Sequence, residues 1–439
     1  RQMCIRDRGA PTSCVQGPMV FVDALQDDAS AACALATRVL GPDVAVALVA
    51  HRGRGAHVGL SLLAIPSVHV AGSAVMQLRQ VDAALTALAH GTDPTALPVA
   101  LQALSTPPPQ YIDTDQPHGV AHERLEDQFR RRARAIPSVP ALVCCKSVAP
   151  LHLDTWTYAD LDARSDAIAR LVWSHGVGYA APGNDDQIVS LCLPKCFDMY
   201  ASILGILKAG AAWCPIDPSW PAARQAALLD KSRARLVLTT QATAAHVRDV
   251  CPPTIRMASL DDPIPAAPTP VRTAARASPK QLAYQIWTSG TTGLPKAVGI
   301  EHEAAVQAMR ALQAAVPTDL PDTPGELRYL QFAAYVFDLS IFDIFYAWGH
   351  GGTVCFAPLE LLLTRLVDVA QAMAVTHTLF TPAVSAMVPR RAVPTMRVMV
   401  NGGEKLSQVV ADEWSQGCRV VNIYGPAEAC LLYTSDAAD

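Results

Sequence analysis

Helix and strand patterns alternate along much of this 439-residue chain, and the alternation limits the folds that it can adopt. Residues 156–172 carry apolar side chains at helical intervals, which is typical of a helix with one face in a core. Residues 207–224 read as a helix ended by Gly210, then an apolar strand and a proline-rich turn, and RLVLTT at 235–240 predicts a further strand. This order predicts an α/β fold with doubly wound, mostly parallel sheets.

The composition supports large packed cores and excludes several classes of protein. The 439 residues are enough for two or three domains, and a composition of 51% hydrophobic and 17% charged residues can form their cores. The net charge of -4 gives no electrostatic attraction for nucleic acid or an anionic membrane. The 12 cysteines include no C-x-x-C pair, which favours reduced thiols over disulfides or a zinc site. The longest uncharged run, 55–78, contains Pro66 and two histidines, so it predicts buried strands rather than a membrane span. We therefore expect a cytoplasmic protein that binds neither nucleic acid nor membrane.

The segment YQIWTSGTTGLPK at 284–296 combines a short strand with a loop rich in glycine and hydroxyl groups. Glycine permits a close approach of the backbone to a ligand, and the hydroxyl and N–H groups would form a concavity rich in donors. Lys296 adds a positive charge, so a polyphosphate is the expected ligand. The Walker pattern needs Ser or Thr after its lysine, whereas Ala297 follows here, which disfavours an ordinary P-loop. The predicted loop residues are Thr288, Ser289, Gly290, Thr291, Thr292 and Gly293.

This loop closely resembles the phosphate loop of the adenylate-forming superfamily, and other motifs resemble the adenylation domains of non-ribosomal peptide synthetases. The motifs are the segments at 156–172, 207–224 and 298–302, FAAYVFDLSIFDIFYAW at 332–348, and VVNIYGPAE at 420–428. The resemblance covers roughly 121–430 and implies the large N-terminal part of such a domain. It also implies ATP-dependent activation of an amino acid as aminoacyl-AMP, followed by loading onto the phosphopantetheine of a carrier domain.

The resemblance implies a substrate site around Asp338. This carboxylate would pair with the α-ammonium of an amino acid, although a helix N-cap is a common alternative role for aspartate. The neighbouring Phe337, Ile341, Ile344 and Phe345 recur at helical spacing and are expected in the core. The implied pocket is otherwise apolar, which predicts a hydrophobic or aromatic amino acid as substrate. Its residues are Asp338, Leu339, Phe342, Leu379, Val400, Gly402 and Ile423.

The resemblance also implies roles in binding Mg·ATP. The predicted loop and Lys296 would hold the phosphates, and Gly402, Gly403 and Glu404 would border the adenine. Tyr424 would stack on the adenine, and Gly425 would shape the turn that follows. Glu428 would hold Mg²⁺, because a hard cation prefers carboxylate oxygens. Lys296 and Glu428 are thus the expected catalytic residues, and Ala427, where the family has Thr, is expected to weaken ATP binding.

The remaining segments predict a larger arrangement. Residues 10–106 weakly resemble the closing part of a condensation domain, with strands at 44–50 and 58–65 and a helix at 75–88, but the motif HHxxxDG is absent from the sequence. Residues 107–120 predict a linker that is stiff at its prolines, and 121–430 the adenylation domain. Residues 1–9 and 431–439 resemble translated adapter sequence and are expected to be non-native. The family's second domain with its catalytic lysine has no counterpart here, so the isolated chain is expected to be inactive or nearly so.

Two other interpretations fit parts of the sequence. One is another adenylate-forming ligase, of the acyl-CoA synthetase or aminoadipate-reductase type, and Asp338 argues against the acyl-CoA case because a fatty acid has no ammonium to pair. The other is a non-catalytic module that retains the fold, for which Ala427 is the only support. His302 and His377 are expected to be structural rather than metal ligands.

Overall fold

A computed structural model describes residues 46–52, 58–64, 123–178, 186–264, 278–288, 295–321, 323–425 and 433–436. The chain divides into two compact units, 1–118 and 119–439. In the first unit, strands β1 (Val46–Arg52) and β2 (Val58–Ala64) form an antiparallel hairpin, close to the two predicted strands. The helix predicted at 75–88 lies outside the described residues.

The second unit contains a six-stranded sheet in the order β10-β9-β6-β5-β7-β8. Its neighbours are parallel except for the hairpin of β9 and β10. The strands of this sheet are β5 (Ile188–Leu191), β6 (Ala212–Pro215), β7 (Leu236–Thr239), β8 (Arg256–Ser259), β9 (Leu282–Thr288) and β10 (Lys296–Glu301).

An eight-stranded sheet in the order β16-β15-β14-β13-β11-β12-β3-β4 forms the other layer of this unit. Only its outermost pairs, β3 with β4 and β15 with β16, are antiparallel. Its strands are β3 (Pro140–Val148), β4 (Leu151–Thr157), β11 (Arg328–Leu330), β12 (Thr353–Phe356), β13 (His377–Phe380), β14 (Val398–Asn401), β15 (Arg419–Tyr424) and β16 (Tyr433–Asp436). The predicted fold class, α/β with mostly parallel sheets, is therefore confirmed.

The inner strands of both sheets are short and apolar, as expected for strands with both faces covered. Every residue of β5, β7 and β14 is buried. The covering helices are α1 (Asp127–Ala135), α2 (Tyr158–Ser174), α3 (Phe197–Ala209), α4 (Ala222–Ser232), α5 (Gln241–Val250), α6 (His302–Ala315), α7 (Leu339–Gly349), α8 (Leu359–Ala372), α9 (Pro382–Met387) and α10 (Gln408–Ser415). Within the described residues, no helix is both long and apolar enough to cross a membrane.

Helix α7 is buried from Ser340 to Trp348 because it packs between the two sheets. Its Phe345 ring lies 6.2 Å from the ring of Trp213 on β6. Phe342 lies 6.1 Å from Tyr329 on β11, and Trp348 lies 5.1 Å from Phe129 on α1, both in edge-to-face geometry. The position of α7 fixes where its first residues, which belong to the predicted substrate site, meet the ends of the strands.

Helix ends follow local sequence signals. The Thr157 hydroxyl accepts a hydrogen bond from the N–H of Asp160, whose carboxylate accepts from the N–H of Thr157, so a capping box begins α2. The predicted helix was expected to include residues 156 and 157, which instead end β4. Gly210 ends α3 at φ 81°, as predicted, because an unstrained left-handed residue is needed there.

Candidate active site

The ends of the predicted phosphate loop are held together by the β9–β10 hairpin. Thr288 is the last residue of β9 and pairs with Lys296, the first residue of β10. Thr288 was predicted to lie inside the loop, which was wrong: it belongs to β9, and its β-branched side chain suits a strand. Lys296 is exposed beside the loop. The other predicted loop residues, Ser289, Gly290, Thr291, Thr292 and Gly293, lie outside the described residues.

Asp338 is the N-cap residue of α7. Its carboxylate accepts a hydrogen bond of 2.9 Å from the N–H of Leu339, and its side chain is half-buried. Ile341, Ile344 and Phe345 are buried as predicted, but Phe337 is 57% exposed and is not a core residue. The reason is that Phe337 lies in the turn before the helix, where the helical spacing does not apply. Asp338 is thus placed between an exposed turn and a buried helix.

The apolar pocket positions come together where three parallel strands end. Leu379 on β13 pairs directly with Val400 on β14, so the two side chains project from the same face. Ile423 lies two residues beyond Val421, the partner of Val400 on β15, and therefore lies on that face as well. All three side chains belong to one apolar cluster with Phe342, and Leu339 packs against it. The predicted apolar lining therefore forms one contiguous group.

The residues that follow β14 and β15 lie at the same edge of the sheet. A Cβ on Gly402 would lie 2.9 Å from Cγ1 of Ile423, so only glycine fits against this side chain. Gly403 has φ 85°, and Glu404 is exposed. Tyr424 ends β15 and Gly425 is half-buried, but Glu428 and Ala427 lie outside the described residues. In open α/β sheets ligands bind at the carboxyl ends of strands, which is where these residues lie.

A buried polar cluster behind the pocket was missed by the sequence reasoning. Asp343 on α7 is fully buried, and neither carboxyl oxygen accepts a hydrogen bond of normal geometry. Burial raises the pKa of Asp343 to about 8, while Tyr329, Lys195 and Gln331 act in the opposite direction. Burial also lowers the pKa of Lys195 to about 8, although part of its side chain reaches the surface, and the charge of Asp343 opposes this. A second aspartate within the apolar run IFDIF was the signal that could have revealed the cluster.

The two histidines have structural partners. The Nδ1 atom of His302 accepts a hydrogen bond of 3.2 Å from the N–H of Leu125, and burial together with Arg124 holds its pKa well below the usual range. His377 Nδ1 lies 2.8 Å from the Thr376 hydroxyl, and burial lowers its pKa to about 4. Across the part of the chain that the structure describes, no group of three His, Cys, Asp or Glu side chains is placed to hold a metal ion.

The amino-acid sequence of the chain is similar to those of two fungal synthetases. A ferrichrome siderophore peptide synthetase of Mycosarcoma maydis is 45% identical over 411 residues, which are 89% of this chain and 10% of that protein. The nonribosomal peptide synthetase sidC of Aspergillus fumigatus is 37% identical over 345 residues, which are 76% of this chain and 7% of that protein. The chain thus spans about a tenth or less of the length of these two relatives.

Solved structures share the fold at low sequence identity. The nonribosomal peptide synthetase FmoA3 in its AMPPNP-bound form matches with a TM-score of 0.62 and 21% identity, over 87% of this chain and 40% of that one. The N-terminal subdomain of Klebsiella oxytoca NpsA, in complex with 3-hydroxyanthranilyl-AMSN, matches with a TM-score of 0.59 and 20% identity, over 73% of this chain and 79% of that one.

The profile of one enzyme family matches most of the second unit. The match covers residues 129–439, which include both sheets, the hairpin with Lys296 and the strand ends around Asp338. The resemblance to the adenylation domains of nonribosomal peptide synthetases is confirmed by this match and by the two fungal relatives. The chain belongs to the AMP-binding enzyme family.

Proposed function

We propose that this chain activates an amino acid as aminoacyl-AMP within a nonribosomal peptide synthetase. The observation that carries the proposal is the placement of one carboxylate, Asp338, at the start of α7, the helix whose Phe342 belongs to the same apolar cluster as Leu379, Val400 and Ile423. Such a carboxylate suits the α-ammonium of an amino acid, because an ion pair is stronger where little water screens it. A fatty acid or aryl acid without an ammonium would leave Asp338 with no such partner.

The side chain of the amino acid is proposed to contact Phe342, Leu379, Val400 and Ile423, with Leu339 at the mouth of the pocket. None of these groups carries a charge or a hydrogen-bonding side-chain atom, so a charged substrate side chain would lose its solvation without gaining a partner. We therefore propose a hydrophobic or aromatic amino acid. Gly402 lies directly against Ile423 of this group, because a Cβ there would meet its side chain.

In the proposed reaction, a carboxylate oxygen of the amino acid attacks the α-phosphorus of ATP. The new P–O bond gives aminoacyl-AMP, and the bond to the β-phosphate breaks to release pyrophosphate. The attack of an anion on a polyanion is opposed electrostatically, so the protein must orient the phosphates and neutralise their charge. We assign this to Lys296 and to Thr288, Ser289, Gly290, Thr291, Thr292 and Gly293. Lys296 supports the assignment because it is exposed directly beside the loop.

The adenine is proposed to lie along Gly402, Gly403 and Glu404, with Tyr424 stacked on it and Gly425 in the following turn. Glu428 offers a carboxylate, which is the ligand type that Mg²⁺ prefers, so the residue fits the proposed metal. When bound, Mg²⁺ would neutralise part of the phosphate charge.

The partners proposed for this chain are a carrier domain, whose phosphopantetheine thiol would receive the acyl group, and a condensation domain of the same synthetase. The match to the Mycosarcoma maydis synthetase supports this. It covers 89% of the chain, which is more than residues 119–439 make up, so the similarity extends into the first unit. A cytoplasmic setting is also proposed, supported by the cysteines of the described residues, which are all free thiols.

The proposal is tested by ATP–pyrophosphate exchange with the full-length protein that carries this chain, using a panel of the twenty amino acids. We expect exchange with one or a few apolar amino acids, and Asp338→Asn should reduce it by about 100-fold, the effect of removing a charge that is paired in the complex. Exchange that prefers a charged side chain would refute the proposed pocket. If fatty acids support exchange and Asp338→Asn leaves the rate of that exchange unchanged, the result would favour an acyl-CoA ligase instead.

A further inference from the structure

The segment that carries Asp338 is a connection between β11 and α7 with no regular secondary structure. Residues 331–337 leave the carboxyl end of β11, and Asp338 follows directly as the cap of α7. A connection of this kind can place a carboxylate accurately only if something else fixes its backbone. The described contacts show what does so.

Lys195 holds the first part of this connection. The residue lies between β5 and α3, on the side of the six-stranded sheet. Its Nζ donates hydrogen bonds to three successive backbone carbonyls, those of Gln331 at 2.9 Å, Phe332 at 3.3 Å and Ala333 at 3.2 Å. An ammonium has three donors, and all of them are used on this one stretch of backbone. The three oxygens converge on a single cation and would repel one another without it.

Tyr335 holds the second part. Its ring is buried, and its hydroxyl lies 2.9 Å from the carbonyl oxygens of Leu193 and Ile216. The N–H of Leu193 approaches the same hydroxyl oxygen at 3.4 Å. Both anchors therefore tie the connection from the eight-stranded sheet to backbone at the ends of β5 and β6.

The Lys195 ammonium has the three carbonyl oxygens as its hydrogen-bond partners. Burial lowers its pKa to about 8, and Asp343 on α7, when it is ionised, favours the charged form of the lysine. The side chain of Gln331 is held by the Tyr200 hydroxyl, which donates to Oε1 at 3.0 Å.

We propose that Lys195 is a positioning residue for substrate recognition: it fixes the backbone of 331–333 so that the Asp338 carboxylate meets the α-ammonium of the amino acid. This inference rests on the proposed function, because it concerns how that site recognises its substrate. Lys195 itself does not touch the reacting atoms. If Lys195 only held the two sheets together, its substitution would lower stability and nothing else. If Lys195 positions Asp338, its substitution must also alter the preference for an ammonium.

The test compares the binding of L-phenylalanine, of 3-phenylpropanoate, which lacks the ammonium, and of ATP to the full-length protein that carries this chain, by calorimetry. If the exchange panel selects another amino acid, that amino acid and its analogue without the ammonium replace L-phenylalanine and 3-phenylpropanoate. Lys195→Met should weaken amino-acid binding by about tenfold or more, which is about 1.4 kcal/mol in binding free energy. Binding of the des-amino acid and of ATP should stay within about twofold of the wild type. The preference for the ammonium form should fall by the same factor. Lys195→Arg, which keeps the donors, should restore part of it.

Lys208→Met is the matched control. Lys208 is also a largely buried lysine with several oxygen partners, but these belong to Asp162, Ser165 and Asp166 on α2 rather than to the connection before Asp338. Its loss should lower the unfolding midpoint without changing the preference for the ammonium. Where Lys195→Met does not fold, Lys195→Gln takes its place, because it also removes the ammonium but keeps a polar side chain.

The outcomes are distinct. A wild-type chain that prefers the amino acid, combined with a folded Lys195→Met or Lys195→Gln variant that keeps this preference, overturns the inference and leaves the proposed function standing. A wild-type chain with no preference for an ammonium overturns the proposed function and this inference with it.

Discussion

Asp343 gives the sharpest quantitative prediction. Its carboxyl is fully buried on α7, and its pKa is raised from 3.8 to about 8, first of all by desolvation. A raised pKa in the folded state means that the folded chain binds a proton more tightly than the unfolded chain. The contribution to stability is therefore present below the unfolded pKa and is lost as the pH rises through the folded pKa.

The size of this effect follows from the linkage between protonation and folding. From about pH 5 to about pH 7 the carboxyl is ionised in the unfolded chain and protonated in the folded one, so each pH unit costs about 1.4 kcal/mol of unfolding free energy. Two units give about 3 kcal/mol. Lys195 does not add to the slope, because its pKa of about 8 lies above this range.

The substitution Asp343→Asn keeps the shape of the side chain and removes its ionisation. We expect the variant to become more stable relative to the wild type by about 3 kcal/mol between about pH 5 and about pH 7. Urea unfolding followed by tryptophan fluorescence measures this, and Trp348 on the same helix is a suitable reporter. Buried His377, with a pKa of about 4, also changes stability over this range, but it does so equally in both proteins and cancels in the difference.

Asp412→Asn is the control, because this carboxylate lies exposed on α10. Its difference from the wild type should stay nearly flat with pH. If the Asp343→Asn difference is flat as well, within about 0.5 kcal/mol, Asp343 has the same protonation in both states and the account of its burial is wrong.

Three further predictions concern the phosphates, the pocket and the fold. Lys296→Ala in the full-length protein should slow pyrophosphate exchange by about 10- to 1,000-fold while the unfolding midpoint stays the same, and unchanged exchange would remove the phosphate role. Phe342→Ala empties a fully buried position, so it should cost about 3 kcal/mol or more in urea unfolding and shift the panel of amino acids toward larger side chains. Gly178→Ala places a Cβ 2.2 Å from the carbonyl oxygen of Ala209 at φ 88°, so it should destabilise the chain by more than 1 kcal/mol, visible as a lower melting temperature.

The sequence anticipated the candidate site unevenly. Leu379, Val400 and Ile423 were assigned by resemblance, and strand register brings them onto one face as that assignment requires. Asp338 was given two possible roles, and the structure shows the cap while its pairing with an ammonium stays a prediction. Phe337 was misplaced because the spacing rule for helices was applied two residues before the helix begins at Leu339. Lys195 was missed because its three partners are backbone carbonyls 136 to 138 residues away, and no side-chain pattern marks them.

The sequence by itself determined the alternation of elements, the class of sheet and the family. These depend on residue types at short spacing, which local propensity and burial patterns express directly. Only the tertiary structure decided that Thr288 closes a hairpin with Lys296, that α7 lies between the two sheets, and that Lys195 and Tyr335 hold the segment before Asp338. Each of these depends on pairings between segments distant along the chain, and such pairings are fixed by strand order and packing rather than by any local run of residues.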